Sequence, residues 1–539
     1  MRLRLVPVRQ CYQYGHHSSP DSGHRTRESM QSASGGTPVS RSDRIRGLFK
    51  SQSELDLTDG SIPKSLFFLS FPIVITNLLQ VGYNLADTFW LGRYSTEALA
   101  AISLGFPLVY LFISLGLGLT VAGSVLVAQH TGADQSAQAE YAASQTVSFT
   151  LLAGVVLGAI GFSFVAELLQ VFGAEPTVLT LATDYMEVIS LGLPFLFGFT
   201  VFIALMRGAG DTVTPMLVMF GTVVLNVALD PLLIFGAGPI PAMGVEGAAI
   251  ATVFARGSAM LVGVWIMLRG SHGIQIHPGQ MVPDLGYSRK LLRIGVPASL
   301  ENTGRAISVN AVLVIVTLFA TPVVAAFGVG IRVFSMVFMP AIAIDRGVET
   351  MTGQNIGAGR ADRVVATNRF AAKASFLVLS VLGVLTFAFA PDVIRLFDDS
   401  PAVVAEGASF LRWIAPTFGF VGVLRAYSGG FRGAGKTLTA AAIAVLLFGF
   451  IRLPIAYVAS QGIVPVDVWF FGSRTPTGIW FAFAVSGIVA AVVAAGWFEL
   501  GKWRGVDLTQ RADGTPADGT GDGDRVGDSP SPDEAGTDD

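Results

Sequence analysis

Residues 429–439 read GGFRGAGKTLT, and residues 206–214 read MRGAGDTVT; the shared RGAG stretches lie 225 residues apart. Taken alone, Gly430 to Thr437 satisfies GxxxxGK[ST], the phosphate-cradling loop of nucleotide hydrolases, which needs a buried strand before it and a helix after it. In the earlier copy Asp211 replaces the lysine and Leu205 the first glycine, and both copies join long apolar runs. A tight connection between two helices explains the glycines and threonines of both copies. A nucleotide site explains one copy only, so no nucleotide partner is expected.

The same offset carries Pro72 onto Pro297, AQHTGAD (128–134) onto GQNIGAG (353–359) and Pro176 onto Pro401 without a gap. The chain of 539 residues is 52% hydrophobic and 14% charged, with mean hydropathy +0.60, whereas soluble domains carry about 25% charged residues. Runs such as 98–128 exceed the roughly 20 apolar residues that cross a hydrocarbon core. Breaks at glycine, proline and charge predict twelve spans, near 63–91, 98–128, 138–168, 178–205, 213–236, 246–268, 288–318, 322–352, 365–390, 403–428, 437–460 and 478–503. Six spans separate the copies, so both halves enter the membrane in the same orientation. The predicted fold is an all-α integral membrane protein, twelve transmembrane helices in two six-helix lobes related by a pseudo-two-fold along the membrane normal. The expected divisions are a tail at 1–60, an N-lobe at 61–270, a connection at 271–287, a C-lobe at 288–504 and a second tail at 505–539.

Both tails read as disordered: the first is Arg-rich and lacks the apolar core of a secretory signal, and the second holds ten acids and two arginines. Met30 is a candidate start of translation. His16, His17 and His24 have no framework to hold a metal, and Cys11, the one cysteine, has no partner for an intrachain disulfide. The first tail, the 269–293 connection (Arg269, Arg289, Lys290, Arg293), the 360–369 connection (Arg360, Arg363, Arg369) and Arg432 with Lys436 fall on one side. The opposite loops are nearly free of Lys and Arg, so both termini are expected in the cytoplasm of a multi-pass cell-membrane protein.

YNLADTFWLG (83–92), AQHTGAD, MRGAGDTVTPM (206–216), LNVALDPLLIFG (225–236), GVEGAAIAT (244–252) and GQNIGAG together resemble the multidrug and toxic compound extrusion (MATE) transporters, nearest their DinF-like branch. The resemblance spans roughly residues 60–500. It implies an exporter that alternates between outward-open and inward-open states and expels organic, often cationic, compounds in exchange for H⁺ or Na⁺.

An acid inside a span costs about 2.5–3.5 kcal/mol, which makes intramembrane acids functional candidates. Asp87 shares a helix face with Tyr83, and Asp230 with Asn226, each pair one turn apart. Pro231 removes a backbone donor and frees the carbonyl of Val227, and Thr252 adds a hydroxyl. These oxygens suit Na⁺, and two acids in a dry pocket also favour proton uptake. The resemblance places Asp87, Asn226, Asp230 and Thr252 in one N-lobe cation site and makes Pro72 the point where the first helix bends. The alternative for Asp87 is a helix cap near the outer surface. The offset maps Asp87, Asn226 and Asp230 onto Val312, Ile451 and Ile455, so one such site per chain is expected.

Arg256, one turn after Thr252, needs a buried partner: Asp230 or Asp87, or else a lobe surface or a backbone carbonyl. Glu301, Asp345 and Glu349 either face the central cavity, where they would attract a cationic cargo, or belong to a neutralised network with Arg332 and Arg452. The expected function is a cation-coupled antiporter for small organic molecules, a monomer in the lipid bilayer with no cofactor, no nucleic-acid partner and no enzymatic activity. A lipid-linked oligosaccharide flippase needs a cationic cavity and often fourteen spans. A prenyltransferase-like enzyme needs a DDxxD motif, of which Asp398 and Asp399 supply only the start.

Overall fold

In hydrocarbon a chain must satisfy every backbone N–H and C=O internally, and long apolar runs interrupted only by glycine and proline do so as helices. The computed structural model describes residues 56–170, 174–463, 474–504 and 508–509. The first half contributes α1 (Ile62–Tyr94), α2 (Thr96–Gly132), α3 (Ser136–Gln170), α4 (Pro176–Ala209), α5 (Val213–Ile234) and α6 (Gly244–Arg269). The second half opens with α7 (Leu285–Val316), followed by α8 (Thr321–Val337) and α9 (Met339–Gly357), one span bent by 43° at Phe338. Next come α10 (Ala361–Ala388) with the short α11 (Ala390–Arg395), then α12 (Pro401–Ile414) and α13 (Phe418–Gly433), joined by a 3₁₀ turn. The last two spans are α14 (Thr437–Ala444), continued through a π segment into α15 (Arg452–Ser460), and α16 (Thr477–Glu499).

Ten of these spans are long and apolar enough to cross a bilayer, the bent pair makes an eleventh, and α7 is the twelfth. Its charges, Arg289, Lys290, Arg293, Glu301 and Arg305, lower its apolarity. The twelve helices form the two predicted six-helix lobes. Between the lobes, Asp284 caps α7 by accepting from the amides of Gly286 and Tyr287. The Tyr141 hydroxyl donates to the same carboxylate at 2.8 Å and, with those amides, holds it below the usual carboxylate range.

The repeat is visible in backbone geometry. Gly210 and Gly435 both adopt positive φ, 100° and 72°, in the two RGAG turns. Asp134 and Gly359 do the same at the ends of AQHTGAD and GQNIGAG, with φ of 56° and 69°; aspartate is among the few side chains that tolerate this region. Asp211, which stands where the other copy has Lys436, accepts from the amides of Val213 and Thr214 at 3.0 Å and so caps α5. The phosphate-loop pattern is a helix-to-helix turn in both halves.

At this end of the molecule the lobes meet through the repeat itself. A Cβ on Gly132 would lie 1.9 Å from the carbonyl oxygen of Gln354, and one on Gly357 would lie 1.9 Å from that of Gln129. With the helices this close, Gln129 Nε2 donates to the Gly433 carbonyl at 2.9 Å, and Gln354 Nε2 to the Gly208 carbonyl at 3.0 Å. Both donor and acceptor pairs are related by the 225-residue offset.

Two expectations need correction. The ends of the tails that are described are packed. Leu57 is buried, its carbonyl accepts from Asn355, and Arg360 pairs with Asp59. Leu508 donates its amide to Gln129 and accepts from Lys290. An isolated leucine in a polar segment is enough to dock it; the remainder of both tails lies outside the described residues. Arg432, counted above among loop charges, is a buried residue of α13. The helix runs to Gly433, some five residues beyond the expected boundary at 428, because the turn begins only at Ala434.

Gly357→Ala is expected to force the lobes apart at their closest approach, at a cost of about 1–3 kcal/mol. Gly82→Ala meets no atom within 4 Å and is expected to leave the melting temperature unchanged. Thermal unfolding of the detergent-purified variants, followed by tryptophan fluorescence, checks both.

Candidate functional site

Asp87 lies on the buried face of α1, and Asp230 is fully buried on α5. The Tyr83 hydroxyl donates to Thr252 Oγ1 at 2.8 Å, tying α1 to α6. Asn226 Nδ2 donates to Asp230 Oδ1 at 3.0 Å, one turn away on α5. The Asp87 and Asp230 carboxyl groups face each other within hydrogen-bonding reach. The five residues proposed from sequence therefore meet where three helices converge. Asp87 is not a cap: α1 runs on to Tyr94, and Ser95 follows as its C-cap.

Three oxygens here receive no hydrogen bond although all are buried: Oδ1 of Asp87, Oδ2 of Asp230 and Oδ1 of Asn226. Unpaired buried acceptors are costly, and two carboxylates side by side repel unless something positive lies between them. The arrangement is chemically suited to a shared proton or a small hard cation. Tyr83, Asp87 and Thr252 line a cavity of about 650 Å³ whose other walls include Phe106, Tyr110 and Phe197; Asp230 and Asn226 stand behind this wall. Pro72 lies in α1, its carbonyl accepting from the Thr76 hydroxyl at 2.9 Å.

Arg256 also lines the cavity, yet it follows neither expectation. Its NH2 donates to Gln80 Oε1 at 2.6 Å, and its guanidinium lies 4.6 Å from the Tyr83 ring centre and 5.3 Å from that of Phe199. Gln80 precedes Tyr83 by three residues on α1, so one guanidinium reaches along that face, satisfied by a neutral acceptor and two aromatic faces. Among the described ion pairs Arg256 has none with Asp87 or Asp230, so the two acids keep their charge requirement.

The second lobe resolves its acids differently. Arg432 donates to both oxygens of Glu301 at 2.9 and 3.0 Å, to Glu349 at 2.9 Å, and to Asp345. Arg305 pairs with Glu301 at 3.0 Å, Arg346 with Glu349 at 2.8 Å and Arg425 with Asp345 at 3.7 Å. Arg207 reaches Glu349 from the first lobe at 3.7 Å. Glu301, Asp345 and Glu349 thus belong to a charge network, in which Arg305 pairs one turn from Glu301 and Arg346 beside Glu349, while Arg207, Arg425 and Arg432 take the place expected of Arg332 and Arg452. Arg452 instead donates to Ser486 and stacks on Phe448 and Phe483. Gln80, Phe199, Arg207, Arg425 and Arg432 were missed by sequence reasoning. For Arg207 and Arg432 a signal existed, since the offset pairs them, but the turn reading of RGAG absorbed it.

The family model described as MatE matches twice, over residues 72–232 and 297–458, once in each half. The probable multidrug resistance protein YpnP of Bacillus subtilis is 30% identical over 84% of this chain and 98% of its own length. The probable multidrug resistance protein NorM of Thermotoga maritima is 28% identical over 82% of this chain and 93% of its own. Among solved structures, the outward-facing conformation of a multidrug resistance MATE family transporter superimposes with a TM-score of 0.76 at 24% identity. That match covers 84% of this chain and 99% of the other, a likeness of fold.

Replacing Arg432 by Gln leaves three buried carboxylates without their common cation, a loss of about 3–5 kcal/mol. Arg432→Gln is expected to melt far below the parent, and adding Glu349→Gln to recover part of the difference, in the same thermal assay.

Proposed function

Because the chain belongs to the MatE family of multi-pass membrane transporters, secondary transporters and not enzymes, we propose that it exports an organic, amphipathic compound in exchange for H⁺ or Na⁺. The observation that carries this reading is the set of orphaned oxygens on Asp87, in the wall of the large cavity, and on Asp230 and Asn226 behind it. Cargo in that cavity and a cation between the two carboxylates compete for one site, since Asp87 serves both. Loading the cation favours release of cargo, and loading cargo favours release of the cation. Such mutual exclusion is what couples an ion gradient to export.

A proton fits the facing carboxyl groups most simply, because one proton turns two repelling acceptors into a hydrogen-bonded pair. Na⁺ is the second reading, favoured by the amide oxygen of Asn226, which a proton on the acids leaves unused. Pro72 breaks the hydrogen-bond ladder of α1 about 22 Å from Asp87 at 1.5 Å per residue. A change of charge at Asp87 can therefore be converted into a bend of the helix that lines the cavity.

The chain lies in the cell membrane with both termini in the cytoplasm, on the ground that the basic connections gather at one end. The glutamine contacts between lobes are at that same end, so the conformation described is closed toward the cytoplasm. The alternate state opens those contacts and closes the lobes over the cavity, with the two bundles rocking about their shared axis.

In proteoliposomes with separately imposed pH and sodium gradients, gradient-driven transport is expected to fall by about tenfold or more in Asp87→Asn and in Asp230→Asn, the scale of a coupling of 1–3 kcal/mol. A response to the pH gradient alone assigns the proton, and a response to sodium alone assigns Na⁺. Equal transport in the parent and both variants contradicts the proposal.

A further inference from the structure

The 225-residue offset that pairs Arg432 with Arg207 also carries its three acids back onto the first lobe. Glu301, Asp345 and Glu349 map to Thr76, Thr120 and Ser124. Each lobe thus places an arginine at the same point of its RGAG motif, but only the second surrounds it with carboxylates of its own. In the first lobe the corresponding region contains a cavity of about 230 Å³, lined by Arg207, Thr76, Thr120 and Asn77 together with Arg346 from α9. No acid lines it.

The polar groups around this cavity are short of acceptors. Nε of Arg207 and Nδ2 of Asn77 are buried and donate to nothing. Among the described ion pairs Arg207 has one acid, Glu349, whose Oε1 lies 3.7 Å away across the lobe boundary, beyond hydrogen-bonding distance, while Oε2 of that carboxylate accepts from Arg346 at 2.8 Å and from Arg432 at 2.9 Å. The linked cluster as a whole holds five arginines, Arg207, Arg305, Arg346, Arg425 and Arg432, against three acids. Arginine does not shed its proton in proteins, so an excess of two positive charges is left within the span region, where uncompensated charge is costly.

We propose that this cavity receives an acidic group, a carboxylate or phosphate of the cargo, which takes the position that Glu301 and Asp345 occupy in the other lobe. Arg207 and Arg346 supply the charge, and the Asn77 amide, whose Nδ2 is without an acceptor, supplies a neutral donor. Thr200 lines both this cavity and the larger one beside Asp87, so the acidic head lies here while the apolar body extends between Phe106, Tyr110 and Phe197. The inference rests on the export reading and narrows its substrate class to amphipathic organic acids. It departs from the cationic cargo that the family resemblance implies.

The test is direct binding, without any ion gradient. Calorimetric titration of the detergent-purified full chain uses three probes: 1-naphthoate, its cationic counterpart 1-naphthylmethylammonium, and inorganic phosphate. Naphthoate affinity is expected to drop by about tenfold in Arg207→Gln, equivalent to 1.4 kcal/mol, and to be largely restored in Arg207→Lys. Thr120→Glu, which installs a carboxylate where the other lobe has Asp345, is expected to abolish naphthoate binding while preserving the fold, since it gives Arg207 an acid of its own lobe as Arg432 has in the second. Naphthoate binding that is absent in the parent, or unaffected by Arg207→Gln and Thr120→Glu, overturns the proposal. Binding of the ammonium probe in its place does so equally. Phosphate binding without naphthoate binding identifies a free inorganic anion as the occupant and overturns the assignment to cargo. None of these outcomes touches Asp87 or Asp230, so failure here is distinguishable from failure of the coupling reading.

Discussion

A carboxylate held in hydrocarbon needs a positive charge within reach, and the two halves of this chain meet that requirement in opposite ways. In the second lobe the cation is covalent: Arg432 stands among Glu301, Asp345 and Glu349 and contacts all three. Because its guanidinium cannot dissociate or lose its proton, the acids of this lobe are permanently balanced by fixed cations. In the first lobe the described ion pairs give Asp87 and Asp230 no such residue, and Arg256, which lines the same cavity as Asp87, is committed to Gln80 and to two aromatic rings. A mobile cation is what the proposed function supplies to balance these acids. On the proposed reading, one fold repeated twice yields one lobe with fixed countercharges and one that exchanges a cation.

The contacts between lobes suit an interface that must open. Gln129 and Gln354 donate to backbone carbonyls across the boundary, and glycines at 132 and 357 let the helices approach to backbone contact. Neutral hydrogen bonds contribute about 0.5–1.5 kcal/mol each, so a few of them hold a state without locking it. The ionic contact of Arg207 with Glu349 across the boundary, at 3.7 Å, is longer than the contacts of Arg432 with Glu301 and Glu349 inside the second lobe, both at 2.9 Å. Strength is concentrated inside the lobes and moderated between them, as rigid-body rocking requires.

Most of the fold was legible because the offset of 225 residues is carried by glycine and proline, whose backbone roles do not depend on distant partners. Gly210 and Gly435 turn in the same way in both halves, and that identity is enough to dismiss the nucleotide motif. Tyr83 with Asp87 and Asn226 with Asp230 were legible as pairs, since helical periodicity fixes neighbours one turn apart; joining them across helices required the family resemblance. Arg256 could not be placed, because its partner Gln80 is 176 residues away on another helix and nothing in local spacing favours it over an acid. Arg432 was misplaced for a different reason. The expected span 403–428 stops before Gly429, Gly430 and Arg432, where glycines and a charge together read as a turn, whereas a charge balanced by three acids lies comfortably inside a span.

The central claim is that the first lobe, and only that lobe, holds one exchangeable cation per chain between Asp87 and Asp230. Cation release on cargo binding measures this directly, by pH-indicator absorbance in weakly buffered detergent solution, with radioactive sodium binding run in parallel. The account predicts release of one cation per chain on saturation with cargo, and none in Asp87→Asn or Asp230→Asn. Release of two cations per chain, or release that persists when both aspartates are replaced, would contradict it.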